Sequence, residues 1–113
     1  MSITKIVKRD GRIVPFEADR IKDAVHKAFI AVELQDGQKA EDVTKEVVNL
    51  LEARFRESTP SVENIQDLVI EVLKEKGYEK VAEGYEAYRK TKEEIRKLKE
   101  KLGIEQPKLT VNA

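Results

Sequence analysis

The chain of 113 residues has no cysteine and no tryptophan, a single histidine, three tyrosines and three phenylalanines. Without cysteine there is no disulfide framework, no thiolate metal site and no cysteine nucleophile, a composition in keeping with a reducing compartment. His26 alone gives little basis for a histidine metal site, so no zinc is expected. No stretch approaches the ~18 to 20 apolar residues that cross a bilayer, and the opening MSITKIVKRDGR has no apolar signal core. A cytoplasmic protein without a membrane partner is expected. Also absent are a Walker-type glycine-rich loop, a nucleophile elbow, a triad signature and any Asp/Glu/His grouping at metal-ligand spacing. The length fits one domain with a single core.

What the chain has in abundance is charge, and its distribution is uneven. Lys plus Arg total 22 and Asp plus Glu total 22, a net charge of zero. Residues 1–12 nevertheless carry four bases against one acid, net +3, and residues 87–101 carry seven bases against three acids, net +4. Residues 33–86 hold fourteen acids and seven bases, net −7. The two basic ends are therefore where an anionic ligand is sought.

The pattern ITKIVKR, Asp10-Gly11, RIVPF places an Asp-Gly pair between two β-branched runs, which predicts a β-hairpin. Pro15 cannot donate to a ladder, so the second strand is expected to be an edge or to end there. Apolar residues at Ile21, Val25, Ala28, Phe29 and Val32 then form one helical stripe. Asp36-Gly37 breaks it, and Val43, Val47, Leu50, Leu51 and Phe55 predict a second helix. After Ser58-Thr59-Pro60, Ser61 is placed to cap a third helix bearing Ile65, Leu68, Val69, Val72 and Leu73, with Glu63 in its first turn and Gly77 past its end. A fourth helix runs from Glu79 with Val81, Tyr85, Tyr88, Ile95, Leu98 and Leu102, closed by Gly103. Its second half is too charged to be buried on all sides and is expected to project. The tail from Ile104, with Pro107 and no periodicity, reads as a linker. The expected fold is α+β but mainly α: a two-stranded N-terminal hairpin packed on a four-helix bundle.

Three places could carry chemistry. Lys8 and Arg9 beside the hairpin turn offer a point charge and a planar fork suited to phosphate oxygens, though a charged strand end also serves solubility. Glu17 and Arg20 flank the start of the first helix. There a carboxylate can help initiate the helix, or accept from an exocyclic amine or sugar hydroxyl while Arg20 reaches a phosphate. The run Arg89, Lys90, Lys92 is a solvated face paired with neighbouring glutamates unless the fourth helix packs across the hairpin. In that arrangement Lys90 would join Lys8 and Arg9 around one pocket matched to a triphosphate. His26 and the three tyrosines read as helix and core or rim residues.

The string Ile6-Val7-Lys8-Arg9-Asp10-Gly11, followed by Val14-Pro15-Phe16, Arg20-Ile21, Ala24-Val25 and Lys27-Ala28, resembles the opening of the ATP-cone domain. Ser61 to Asp67 with Val69 and Leu73, and later Tyr85 to Tyr88-Arg89, resemble its second half, so the likeness spans about residues 3–92. It implies a nucleotide-binding domain over residues 1–92, followed at 93–113 by a projecting helix end and a linker toward a catalytic domain. The implied ligand is ATP or dATP, with or without Mg²⁺. The implied function is allosteric control of a ribonucleotide reductase's activity or oligomeric state, without catalytic residues of its own. The implied partners are the adenine nucleotide, the reductase's catalytic domain or subunit, and a further copy of the chain. Carried over, Lys8, Arg9 and Lys90 would meet phosphates, Ile6 and Ile21 would flank adenine, and Glu17 and Arg20 would line the nucleotide. Gln66 stands where some members have a histidine, and Val14 where others have a polar residue. The ending Pro107 to Ala113 is similar to the lead into a reductase barrel of the adenosylcobalamin-dependent type, which implies an excised domain or a module lacking its enzyme.

Two other classes remain open on the sequence: the cone of a transcriptional regulator of reductase genes, and a helical adaptor indifferent to nucleotides. The regulator's family pairs its cone with a cysteine-rich zinc ribbon, for which this chain has no cysteines. A nucleic-acid-binding module is disfavoured by zero net charge and the lack of an aromatic-basic ribbon.

Overall fold

A computed structural model describes residues 3–32 and 37–103. Strands β1 (Lys5–Val7) and β2 (Ile13–Pro15) pair antiparallel in the register Lys5 with Pro15, Ile6 with Val14 and Val7 with Ile13. Four helices follow: α1 (Ala18–Ala31), α2 (Gly37–Arg54), α3 (Val62–Glu75) and α4 (Glu79–Leu102). The expected tail from residue 104, and Asp36 of the expected break, lie outside the described residues.

The hairpin closes through Lys8, whose N–H donates to the Arg12 carbonyl at 2.7 Å and whose carbonyl accepts from the Gly11 N–H at 2.9 Å. The loop is thus the three residues Arg9, Asp10 and Gly11, longer than a two-residue Asp-Gly turn. Gly11 takes φ 89°, a conformation open to glycine at little cost. Asp10 clamps the far side, accepting from the Arg12 backbone N–H at 3.1 Å and from Arg12 Nε at 2.8 Å. These bonds, the backbone one foremost, hold its carboxyl below the usual range. Strand β2 ends at Pro15, as a residue with no N–H requires.

A two-stranded ribbon is marginal in water and needs a surface. Here Ile6 and Phe16 pack against the helical core. The Val7 N–H donates to the Pro60 carbonyl at 2.9 Å, forming a parallel bridge to Ser61. That bond ties the hairpin to the entrance of α3. There the Ser61 hydroxyl accepts from the Asn64 N–H at 3.0 Å and the Asn64 side chain accepts from the Ser61 N–H at 2.9 Å, a reciprocal box that satisfies two otherwise orphaned donors.

The helices form a closed ring in which α1 meets α2 and α4, and α3 meets the same two. Its centre holds Val25 and Phe29 of α1, Val43, Val47 and Leu51 of α2, Val69, Val72 and Leu73 of α3, and Val81, Ala82 and Tyr85 of α4. The Phe29 ring meets Tyr78 edge-on at 5.2 Å. Thr44, the buried polar residue of α2, returns its hydroxyl to the Ala40 carbonyl at 2.8 Å. With α1 and α3 of 14 residues each and α4 of 24, α4 outruns them by about 15 Å at 1.5 Å per residue. The excess emerges as Ile95, Leu98 and Leu102, 47%, 55% and 63% exposed. Tyr88 is also half exposed, so the buried face of α4 stops one turn earlier than its apolar spacing suggests. Gly103 at φ 74° closes the helix.

Candidate functional site

The bridge from Val7 to Ser61 carries the hairpin loop across the start of α3 and against the middle of α4. Arg9 sits at this junction. Its Nη1 lies 2.9 Å from Glu63 Oε2 in the first turn of α3 and 2.7 Å from Glu93 Oε1 on α4. Glu93 in turn uses Oε2 for Arg96 Nη2 at 2.7 Å, with Lys97 Nζ at 3.8 Å. Arg96 continues to Glu100 at 2.8 Å. Burial is the largest single influence on Glu93 and pushes its carboxyl up, but Arg9, Arg96 and Lys97 together outweigh it and hold it below its ordinary range.

Beneath this ion pair an open cleft of about 420 Å³ is lined by Arg9, Glu86, Arg89, Lys90 and Glu93. That volume lies within the range of small-molecule sites, roughly 300 to 1,000 Å³. The four α4 residues follow at i, i+3, i+4 and i+7, so one polar face of the helix supplies them all. Arg89 is braced by Asp67 of α3 at 2.8 Å, which leaves the other edge of its guanidinium for a second acceptor. The lining sets three cations, one point charge and two planar forks, beside two carboxylates, while Glu63 and Asp67 pair with Arg9 and Arg89 from α3. Such a set can hold a polyanion. Tyr85, one turn before Arg89 on α4, is buried, and desolvation pushes its phenol up to about 12, so it stays protonated.

The residues singled out in the sequence divide into groups. Arg9 and Lys90 line the cleft together, from opposite ends of the described chain. The Lys8 side chain is half-buried and pairs with no carboxylate among the described residues. Ile6 packs on the core and Ile21 is buried within it. Glu17 and Arg20 engage each other, Arg20 Nε donating to Glu17 Oε1 at 2.7 Å. Glu17 occupies the N-cap position of α1 yet makes no side-chain cap there. Gln66, next to the Asp67 that braces Arg89, has a buried amide oxygen with no partner among the described residues.

The chain matches the model of the ATP cone domain over residues 4–94. It belongs to the ATP-cone family. The match begins just ahead of β1 and ends at Glu94, one residue past the last residue lining the cleft. ATP-cone domains bind ATP or dATP. Over 71 residues, 63% of its length, the chain is also 44% identical to a vitamin B12-dependent ribonucleoside-diphosphate reductase of Thermoplasma acidophilum. It spans only 9% of that relative. Among the described residues no helix is long and apolar enough to cross a membrane, and no group of three or more His, Cys, Asp or Glu could hold a metal ion.

Glu63, Glu86 and Glu93 are the cleft-side residues that sequence reasoning had not assigned to a site. Glu93 reads locally as the partner of Arg96 and Lys97, which it is. Its second role depends on the hairpin reaching α4, and no local spacing reports that.

Proposed function

We propose that this domain is an allosteric sensor of ATP and dATP, controlling the activity or oligomeric state of a ribonucleotide reductase of the vitamin B12-dependent kind. The observation that carries the proposal is the joint lining of one cleft by Arg9 of the hairpin and Arg89 and Lys90 of α4, within the stretch that matches the ATP cone. The identity to a reductase supports the choice of parent enzyme.

In this reading Arg9 and Lys90, with Lys8 at the foot of the loop, bind the phosphates. Arg89 adds the free edge of its guanidinium. Ile6 and Ile21 flank the adenine, Glu17 and Arg20 line the nucleotide, and Gln66, whose buried amide oxygen has no partner among the described residues, contributes beside Asp67. The domain contributes no catalytic group. ATP and dATP differ by one hydroxyl, and a well-paired hydroxyl is worth roughly 0.5 to 1.5 kcal/mol, so the two differ modestly in affinity. A regulatory response then requires that each nucleotide favour a different arrangement of the domain and its partner, since a ligand that binds two states equally shifts neither. Couplings of this kind run at about 1 to 3 kcal/mol.

Calorimetric titration of the chain with ATP, dATP, GTP and AMP tests the reading. Saturable binding of ATP and dATP, with GTP and AMP weaker, is the expected result. Binding that ignores the base, or binding of none of the four, would overturn it.

A further inference from the structure

Arg9 is not free to receive a ligand. Its Nη1 is shared by Glu63 and Glu93, at 2.9 and 2.7 Å, and the Glu93 carboxylate lines the same cleft. A carboxylate and a phosphate compete for a guanidinium through the same attraction of charge, and the Arg9–Glu93 contact is an ion pair in which Glu93 Oε1 has no hydrogen-bond partner among the described residues. Glu93 also has somewhere to go: its other oxygen already faces Arg96 and Lys97 on its own helix. Losing Arg9 would therefore not strand its charge, which is what makes breaking a partly buried pair costly.

Resting on the nucleotide-binding reading above, we infer that Glu93 is an internal surrogate for a phosphate and sets the affinity of the site, holding Arg9 until an incoming polyphosphate displaces it. The domain's apparent affinity is then its intrinsic affinity multiplied by the fraction of molecules in which Glu93 has left Arg9, Glu63 keeping its own hold on the same nitrogen. Arg9 connects the hairpin to both α3 and α4, so displacement of Glu93 uncouples the loop from α4 at the moment of binding. The carboxylate that leaves Arg9 remains with the arginine and lysine that begin the projecting half of that helix.

The test is the Glu93→Gln variant, which keeps the shape of the side chain and removes its charge. With ATP titrated by calorimetry, with and without Mg²⁺, it is expected to bind roughly fivefold tighter than the wild type. That ratio corresponds to about 1 kcal/mol, the upper range for a part-exposed ion pair. Glu93→Ala is expected to show the same direction, with circular dichroism reporting that both variants keep their helices. Glu94→Gln removes an equal charge from the adjacent position, outside the cleft lining, and is expected to change affinity less than twofold. A residue that merely supported the fold would weaken binding when altered. Unchanged or weaker binding by both Glu93 variants would overturn the inference, as would equal tightening by Glu94→Gln, which would reduce the effect to overall charge. Weaker binding only with Mg²⁺ present would make Glu93 a metal-side contact and overturn it as well. If the wild type binds no nucleotide, the functional reading itself fails, an outcome distinct from these.

Discussion

The Arg9 guanidinium stands 2.7 Å from the Glu93 carboxylate, so a three-residue hairpin loop is tied to the middle of a helix that lies at the far end of the described chain. The two side chains are 29% and 27% exposed, enough burial for the pair to orient both partners, and the Glu93 oxygen that faces Arg9 is itself buried.

Arg9→Ala and Lys90→Ala are expected to weaken ATP binding by about ten- to one-hundred-fold each. A hydrogen bond to a charged group is worth roughly 1.5 to 3 kcal/mol, and each variant removes one such donor set. Calorimetry measures the loss, and an Arg20→Ala variant tested alongside reports whether the site extends to α1. Full affinity in both Arg9→Ala and Lys90→Ala would move the phosphate site out of the cleft.

Acid is expected to destabilise the domain through Glu93 and Asp10. Both carboxyls lie below their ordinary values, 4.5 and 3.8, in the folded state. The unfolded chain therefore takes up protons first as pH falls. The stabilisation is fully present above those values and is lost as pH drops through the folded ones. Thermal melts between pH 7 and pH 3 should show a falling midpoint below about pH 4.5, with a shallower fall in Glu93→Gln. Equal slopes for the two proteins would remove Glu93 from the account.

Ser61→Ala should cost about 1 kcal/mol, because it deletes the acceptor for the Asn64 N–H and half of the reciprocal box. In a domain of this size the melting temperature would fall by roughly 4 to 8 °C. The Val7 to Pro60 backbone bond is untouched, so the hairpin should stay docked and ATP affinity should hold. A large loss of affinity would mean that the α3 entrance shapes the site more directly.

Phe29→Ala should be the most damaging of the single changes considered, at about 3 to 5 kcal/mol. Phe29 is fully buried and loses its edge-on contact with Tyr78. Denaturant unfolding monitored by circular dichroism measures it. A loss under 1 kcal/mol would show that the centre of the ring collapses around the gap.

Much of this architecture was legible before any coordinates. The stripes at Ile21, Val25 and Phe29, at Val43, Val47 and Leu51, and at Leu68, Val72 and Leu73 are buried where their spacing placed them. Ser61, Gly77 and Gly103 end or begin helices as their chemistry dictates, because capping is settled within a few residues. The hairpin loop came out one residue longer than its Asp-Gly pair suggests, since Gly11 at positive φ can close a three-residue loop as well as a two-residue one. Tyr88 was the least readable of the apolar positions: its helical spacing is that of a core residue, yet it is half exposed although its neighbour Arg89 still reaches Asp67 of α3.

The sequence by itself determined the elements, their ends, their inward faces and the two basic poles, because periodicity, capping and turn chemistry act over a handful of neighbouring residues. It also held the polar face of α4 that carries Glu86, Arg89, Lys90 and Glu93 at i, i+3, i+4 and i+7. Only the tertiary structure decided that the first pole lies against this face, that Arg9 and Lys90 share a cleft, and that Glu93 rather than solvent holds Arg9. The reason is physical: the contact depends on how the ribbon docks through Val7, Pro60 and Phe16 onto a ring of four helices. That packing is fixed by surfaces assembled from the whole chain.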